Sequence, residues 1–394
     1  MRTQLSRWGA LSLALALLGC GRQELDLLVK AQAEDPCLAF ESESDCRANG
    51  SLGCSFQPNL EGCLSTDPSC RPGMCRGGDP YVRRVGRSFF LNGDPFRFVG
   101  VSSWGLLEAT QCTTTKPEER EAWMQRAYDE LVQSRTKVAR VFAFQSSAGP
   151  NGTDFALFDA SVRFARRAGV RLQFVLDHAQ GNCSVGGNRE SSWYATGYEG
   201  LDGNYTRSYR DFAEALANRY QYEPTVLGYV LLQGLGGADS ATMTKFVNDM
   251  GELLHGAAHD QLMSLDLTWD GAEAAANYRA LQELSVVDLI DVDDYQFQES
   301  LEPMDPVLLE TLGSIDKPVV VGEGAFLLDG DDDAALARRA QKARERMAAW
   351  NQWGFSGALL WAYQPGWSAV SEEFDARPAD PLLQPGGVVD SAPW

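Results

Sequence analysis

Histidine is scarce, with three residues in 394, and basic side chains are outnumbered, with 34 Lys and Arg against 54 Asp and Glu. The formal net charge of −20 lacks the positive surface that phosphate backbones require, which excludes nucleic acid as a partner. After the first twenty residues no apolar run is long enough for a membrane helix. No GxGxxG or phosphate loop follows the first apolar strand pattern, which counts against a doubly wound nucleotide-binding sheet. No histidine falls among the clustered cysteines, whose irregular spacing does not fit a zinc site. Asp and Glu are also missing from Pro224 to Ala238, an absence that becomes important below.

What is present suits a large exported protein. Hydrophobic residues make up 44% and charged residues 22%, enough for a sizeable core. An acidic balance fits a chain that acts on neutral ligands. Arg2 and Arg7 precede an apolar run, Leu11–Leu18, that ends in LLGC at residues 17–20. This looks like a bacterial lipoprotein signal with cleavage before Cys20 and a lipid on that cysteine. An ordinary secretory signal is the alternative. Six of the remaining cysteines cluster at 37, 46, 54, 63, 70 and 75, and two more are Cys112 and Cys183. An even number in an oxidising compartment predicts disulfides, with 15 connectivities open to the cluster alone. Residues 21–80 are accordingly expected to form a linker and a small Cys-rich module, either a spacer or a sugar- or wall-binding unit.

From residue 81 the texture changes to apolar runs alternating with amphipathic stretches. Strands are predicted at Phe96–Val101, Lys137–Phe144, Val170–Asp177, Val226–Leu232, Leu262–Thr268, Val286–Val292, Pro318–Gly322 and Gly357–Trp361. Helices are predicted at Glu118–Gln133, Asp154–Ala168, Ser208–Tyr220, Ala241–His255, Ala272–Glu283, Pro306–Leu312 and Asp333–Trp353. The acidic run before the last of these suits a helix N-terminus, and Gly354 ends it. Eight strands separated by helices predict an α/β fold, a (β/α)8 barrel spanning 81–394.

Chemistry in such barrels sits at the C-terminal strand ends. Taken in order, those ends offer Trp104; Arg140 with Gln145; Asp177 and His178; Gln233 and Gly234; Trp269 and Asp270; Asp293, Asp294 and Tyr295; Glu323; and Trp361 with Tyr363. Aromatic faces for stacking and carboxylates for hydroxyls suit a sugar site. Loops after the first and third strands share one mouth, which predicts a Cys112–Cys183 disulfide.

Residues 81–367 resemble glycoside hydrolase family 5 of clan A, particularly its β-mannanase-like and cellulase-like bacterial members. The resemblance is carried by VGRSFFLNGDPFRFVGVSSW, KVARVFAF, the approach EPTVLGYVLL, KPVVVGEGAF and WGFSGALLWAY. It implies a retaining reaction on β-linked polysaccharide or oligosaccharide with two carboxylates, about 5 Å apart. No cofactor or metal is expected, and the chain is expected to be a monomer. The match makes Glu323 the nucleophile, Arg140 its support and Trp361 the floor of a sugar subsite. Trp104, His178, Asp293, Tyr295 and Tyr363 join Arg140 as expected substrate contacts.

Three positions depart from the family's pattern. Gln233 stands where the family has Asn, and Gly234 stands where it has the Glu that acts as acid and base. Asp293 replaces a histidine. Loss of a positioned acid costs about 10²–10⁴ in rate, or roughly 3–5.5 kcal/mol of barrier. Asp293, Asp177, Glu190 and Glu199 are candidate substitutes, and Asp293 could instead pair with Arg140. Three readings stand: a sugar-binding pseudo-glycosidase, an active glycanase with a relocated acid, and a structural lipoprotein.

Overall fold

The computed structural model describes residues 54–57, 62–65, 80–107, 119–149, 151–181, 188–203, 205–269, 271–298, 300–330, 332–363, 374–376 and 380–394. Expectations for Cys20, Asp270, the Cys112–Cys183 pairing and the wider disulfide framework lie outside the described residues. The chain divides into two compact units, residues 1–80 and 81–394. In the first, β1 (Cys54–Gln57) pairs antiparallel with β2 (Gly62–Ser65), with Phe56 opposite Cys63.

The second unit opens with a three-stranded antiparallel sheet, β3 (Arg83–Val85), β4 (Ser88–Leu91) and β5 (Asp94–Phe96). Eight parallel strands then close a barrel in chain order. They are β6 (Phe98–Ser103), β7 (Val138–Phe142), β8 (Arg171–Val175), β9 (Val226–Val230), β10 (Leu262–Asp266), β11 (Leu289–Gln296), β12 (Val319–Phe326) and β13 (Gly357–Trp361). The outer helices are α1 (Arg120–Gln133), α2 (Ala156–Ala168), α3 (Ser191–Ala195), α4 (Tyr209–Tyr220), α5 (Ser240–Ala257), α6 (Ala275–Gln282), α7 (Pro306–Ser314) and α8 (Asp333–Gln352). The (β/α)8 architecture expected from the alternating pattern is therefore present.

Local chemistry explains the helix ends. Asp239 and Asp305 accept from the first backbone N–H groups of α5 and α7, and Ser208 does so for α4. At α8 the capping acid is Asp332, which accepts from Ala335 N at 2.7 Å, and Gly354 follows the last turn in a left-handed conformation. In α2, Phe158, Val162 and Ala165 are buried at helical spacing beneath the more exposed Arg163 and Arg166.

The barrel interior has three levels. At its base, residues early in the strands, Phe98, Val138, Leu227, Leu262, Leu289, Val320 and Leu359, pack with Val82 and Phe89 from the opening segment. The level above is polar. Arg140 on β7 is fully buried and pairs with Asp266 on β10 at 2.5 Å and Asp291 on β11 at 3.2 Å. Gln173 on β8 donates to Asp291 at 3.2 Å and lies 3.3 Å from Ser264. A Cβ at Gly322 would collide with both Asp291 and Arg140, so only glycine leaves room for this pair. At the mouth, Trp104, Phe142, Phe144 and Trp361 form an aromatic layer with Phe374 from the segment after β13.

Two strands run further than their apolar residues suggest. β11 ends at Gln296 and β12 at Phe326, four residues beyond the predicted limits Val292 and Gly322. The polar ends read as loop in the sequence, yet they stay paired: Asp293 opposite Glu323, Asp294 opposite Gly324, Tyr295 opposite Ala325. Glu323 and Asp293 thus belong to the sheet and inherit its rigidity.

Candidate active site

Glu323 is fully buried on β12, and each of its oxygens accepts a hydrogen bond. Gln233, just beyond β9, donates its side-chain amide to Oε1, and the Tyr295 hydroxyl donates to Oε2 at 2.5 Å. Burial raises the Glu323 carboxyl to about 8, against the opposing pull of Arg140 and with the Asp266 carboxylate adding to the rise. Burial likewise lifts Asp291 to about 7 despite Arg140. Asp293 is pushed well above the ordinary carboxylate range by burial and by the Asp266 and Glu323 carboxylates. One guanidinium faces four carboxyl groups, which is too little positive charge to hold them all as anions once they are buried.

Gln233 is fixed by its backbone. Its N–H donates to Asp177 O at 3.0 Å and its carbonyl accepts from Ala179 N at 2.9 Å, extending the β8–β9 ladder past the strand end. Gly234 follows with φ +65, the left-handed region that favours glycine. A Cβ there would meet only Thr268 Oγ1, at 3.9 Å, so space is available and backbone conformation is the constraint.

The remaining expected contacts separate into two groups. Trp104, His178 and Trp361 gather near Gln233 and Glu323, each less than a tenth exposed. Trp104 stacks on Phe142 at 3.9 Å, lies 6.0 Å from the His178 ring and meets Trp361 edge-on at 6.0 Å. Burial lowers His178 to about 4, and its Nδ1 accepts from Gln180 N, which leaves a neutral ring with its proton on Nε2. Four buried polar atoms of this region have no hydrogen-bond partner among the described residues: Ser102 Oγ, Trp104 Nε1, Gln233 Oε1 and Asp293 Oδ1.

Other residues serve elsewhere. Arg140 has no exposed surface for a sugar; it lies beneath Glu323 and organises carboxylates, which corrects its assignment as a substrate contact. Its partners are Asp266 and Asp291 rather than Asp293. Tyr363 is also corrected: its hydroxyl donates to Glu130 on α1 at 2.5 Å and sits 3.1 Å from Ala127 O, behind the barrel wall. Among the candidate substitute acids, Asp177 is held by both Nε and Nη2 of Arg189. Glu190 is exposed, and Glu199 is exposed beside Tyr198. Asp294 receives Trp350 Nε1 at 2.8 Å and Arg346 at 2.9 Å from α8. Trp269 donates to Asp305, and Gln145 to Arg207 O.

Asp266 and Asp291, central to the cluster, were not singled out in the sequence. The signal was there: an arginine inside VARVF and aspartates inside LMSLD and LIDV require one another in strands buried on both faces. Phe374 carried no such signal, because its place at the mouth depends on the chain returning there, where Ala376 N donates to Ala362 O at 2.8 Å.

No family model matches the sequence, and no curated protein matches it. Solved structures do. A glycoside hydrolase family 5 mannosidase from Rhizomucor miehei aligns with TM-score 0.60 and 13% identity over 80% of this chain and 98% of its own. An endo-1,4-beta-mannanase from the same organism aligns at 0.59 and 16% over 79% and 98%. The catalytic domain of a Thermobifida fusca endoglucanase, in complex with cellotetraose, aligns at 0.50 and 17% over 75% and 88%. The barrel therefore has the fold of the glycoside hydrolase family 5 mannanases and cellulases.

Proposed function

We propose that this protein binds β-linked oligosaccharide or polysaccharide in the barrel mouth while retaining hydrolysis is crippled or lost. The observation that carries the reading is the end of β9, where Gln233 donates to Glu323 and Gly234, at φ +65, presents no carboxyl beside it. A retaining nucleophile needs a partner acid about 5–5.5 Å away across the scissile bond. Position 234 offers no side chain for that task. The unpartnered polar atoms beside Trp104 and Trp361 support sugar recognition, since hydroxyl groups can donate to Gln233 and accept from Trp104.

A second reading rests on Asp293, whose carboxyl is shifted upward by burial and by the Asp266 and Glu323 carboxylates, the direction a general acid requires. It stands directly beside Glu323 on the neighbouring strand, however, rather than facing it. Calorimetric titration with manno- and cello-oligosaccharides, run with a reducing-sugar assay on mannan and cellulose, tests both. Binding without release supports the proposal. Release at ordinary glycanase rates that Asp293→Asn abolishes favours the relocated acid. Neither binding nor release leaves the structural lipoprotein reading.

The LLGC run supports export and anchoring through a lipid on Cys20, which mass spectrometry of the mature N-terminus would reveal. Among the described residues no helix is long and apolar enough to cross a membrane.

A further inference from the structure

We infer that Phe297 is a stacking platform at the rim of the barrel mouth that binds an outer sugar ring of a neutral oligosaccharide. The inference rests on the sugar-binding reading and extends the site beyond the residues around Glu323. Phe297 directly follows β11 and is 57% exposed, although it is a large aromatic. Its ring stacks on Tyr295 at 5.7 Å and 20°, and meets Phe374 edge-on at 5.7 Å. Tyr295 meets Phe374 edge-on as well, at 5.6 Å, and donates its hydroxyl to Glu323. The exposed ring is thus one aromatic removed from the catalytic position. Among the described residues the other exposed large apolar side chains are Val85, Leu201, Tyr222 and Val307, of which only Tyr222 is aromatic, and it makes no ring contact with this cluster.

The platform is held from behind. Phe297 N donates to Glu302 at 3.1 Å, and Glu302 N donates to Gln296 Oε1 at 2.8 Å. The buried Lys342 of α8 binds the carbonyls of Gln296 and Gln298, and the buried Arg346 binds that of Glu302. A ring fixed in this way loses little freedom when a ligand covers it. A single exposed ring beside polar Gln298 and Glu302 is too small for a stable protein interface, whereas it matches one sugar face with hydroxyls at its edge.

The test is calorimetric titration of the full chain and its Phe297→Ala variant with cello- and manno-oligosaccharides of increasing length. In the variant, the longer oligosaccharides should bind about tenfold more weakly, and disaccharides should bind as before. Phe297→Tyr should keep the wild-type affinity, and Phe297→Ala should lower the unfolding temperature by no more than about a few degrees, which leaves disaccharide binding as the control for an intact site. Equal affinities of wild type and Phe297→Ala at every length overturn the platform alone. Failure of the wild-type chain to bind any of these sugars overturns the sugar-binding reading and the platform with it.

Discussion

The side-chain amide of Gln233 donates to Oε1 of Glu323 from three strands away around the barrel. Tyr295 donates to the other oxygen, and the carboxyl group is fully buried. Replacing Glu323 with glutamine should therefore change sugar affinity by no more than about threefold, a shift of roughly 0.7 kcal/mol. Titration with the same oligosaccharides measures it, and a large loss of binding would mean that the ionised carboxylate is needed.

Restoring the family's residues should fail. Gln233→Asn with Gly234→Glu places a non-glycine residue at φ +65, at a cost of about 1–2 kcal/mol. The double variant should unfold at lower temperature and release no more reducing sugar from mannan or cellulose than the wild type. A gain in release would show that the backbone turns without difficulty.

The carboxyl cluster predicts how stability follows pH. Asp291 and Glu323 hold their protons to about 7 and 8 in the fold, while unfolded carboxyls titrate near 4. The folded state then binds more protons, so their contribution is complete below about pH 4 and is lost as pH rises through 7 and 8. His178 acts oppositely. Its folded value is depressed to about 4, so its contribution is full above about pH 6.5 and lost as pH falls towards 4. The two carboxyls outweigh the single imidazole where the ranges overlap, so scanning calorimetry should show the midpoint falling as pH rises, by roughly 5 °C from pH 6 to pH 9. Glu323→Gln should flatten the alkaline limb, and a midpoint that rises from pH 6 to pH 9 would contradict the assignment.

Removing the one cation of the cluster should be severe. Arg140→Ala leaves buried carboxyls without their partner and should cost about 3–5 kcal/mol in urea denaturation. A loss below 1 kcal/mol would mean that water enters the barrel and replaces the guanidinium.

Tyr363 provides the contrasting case. Tyr363→Phe removes its bond to Glu130 and should lower stability by about 1–2 kcal/mol. Oligosaccharide affinity should not move, because the hydroxyl faces α1, and any weakening of affinity would return Tyr363 to the site.

The barrel was legible because its strands are apolar runs buried on both faces, and Gly357–Trp361 was read to the residue. β11 and β12 run past their apolar residues because polarity does not by itself mark a loop; Glu323 is fully buried and Asp293 half-buried, yet both stay paired in the sheet. Trp104, Trp361, Gln233 and Glu323 were identified from strand ends, since barrel topology brings those ends together whatever the loops do. Phe297, by contrast, resembled a loop residue. Its significance comes from Phe374, which lies far along the chain and reaches the same corner only after the barrel closes.

Gly234 also makes this corner tolerant of size but not of backbone. A Cβ there would meet only Thr268 Oγ1, at 3.9 Å, whereas φ +65 disfavours L side chains by about 1–2 kcal/mol. Substitutions at 234 are therefore filtered by conformation before chemistry, and asparagine or aspartate is what the turn admits most readily.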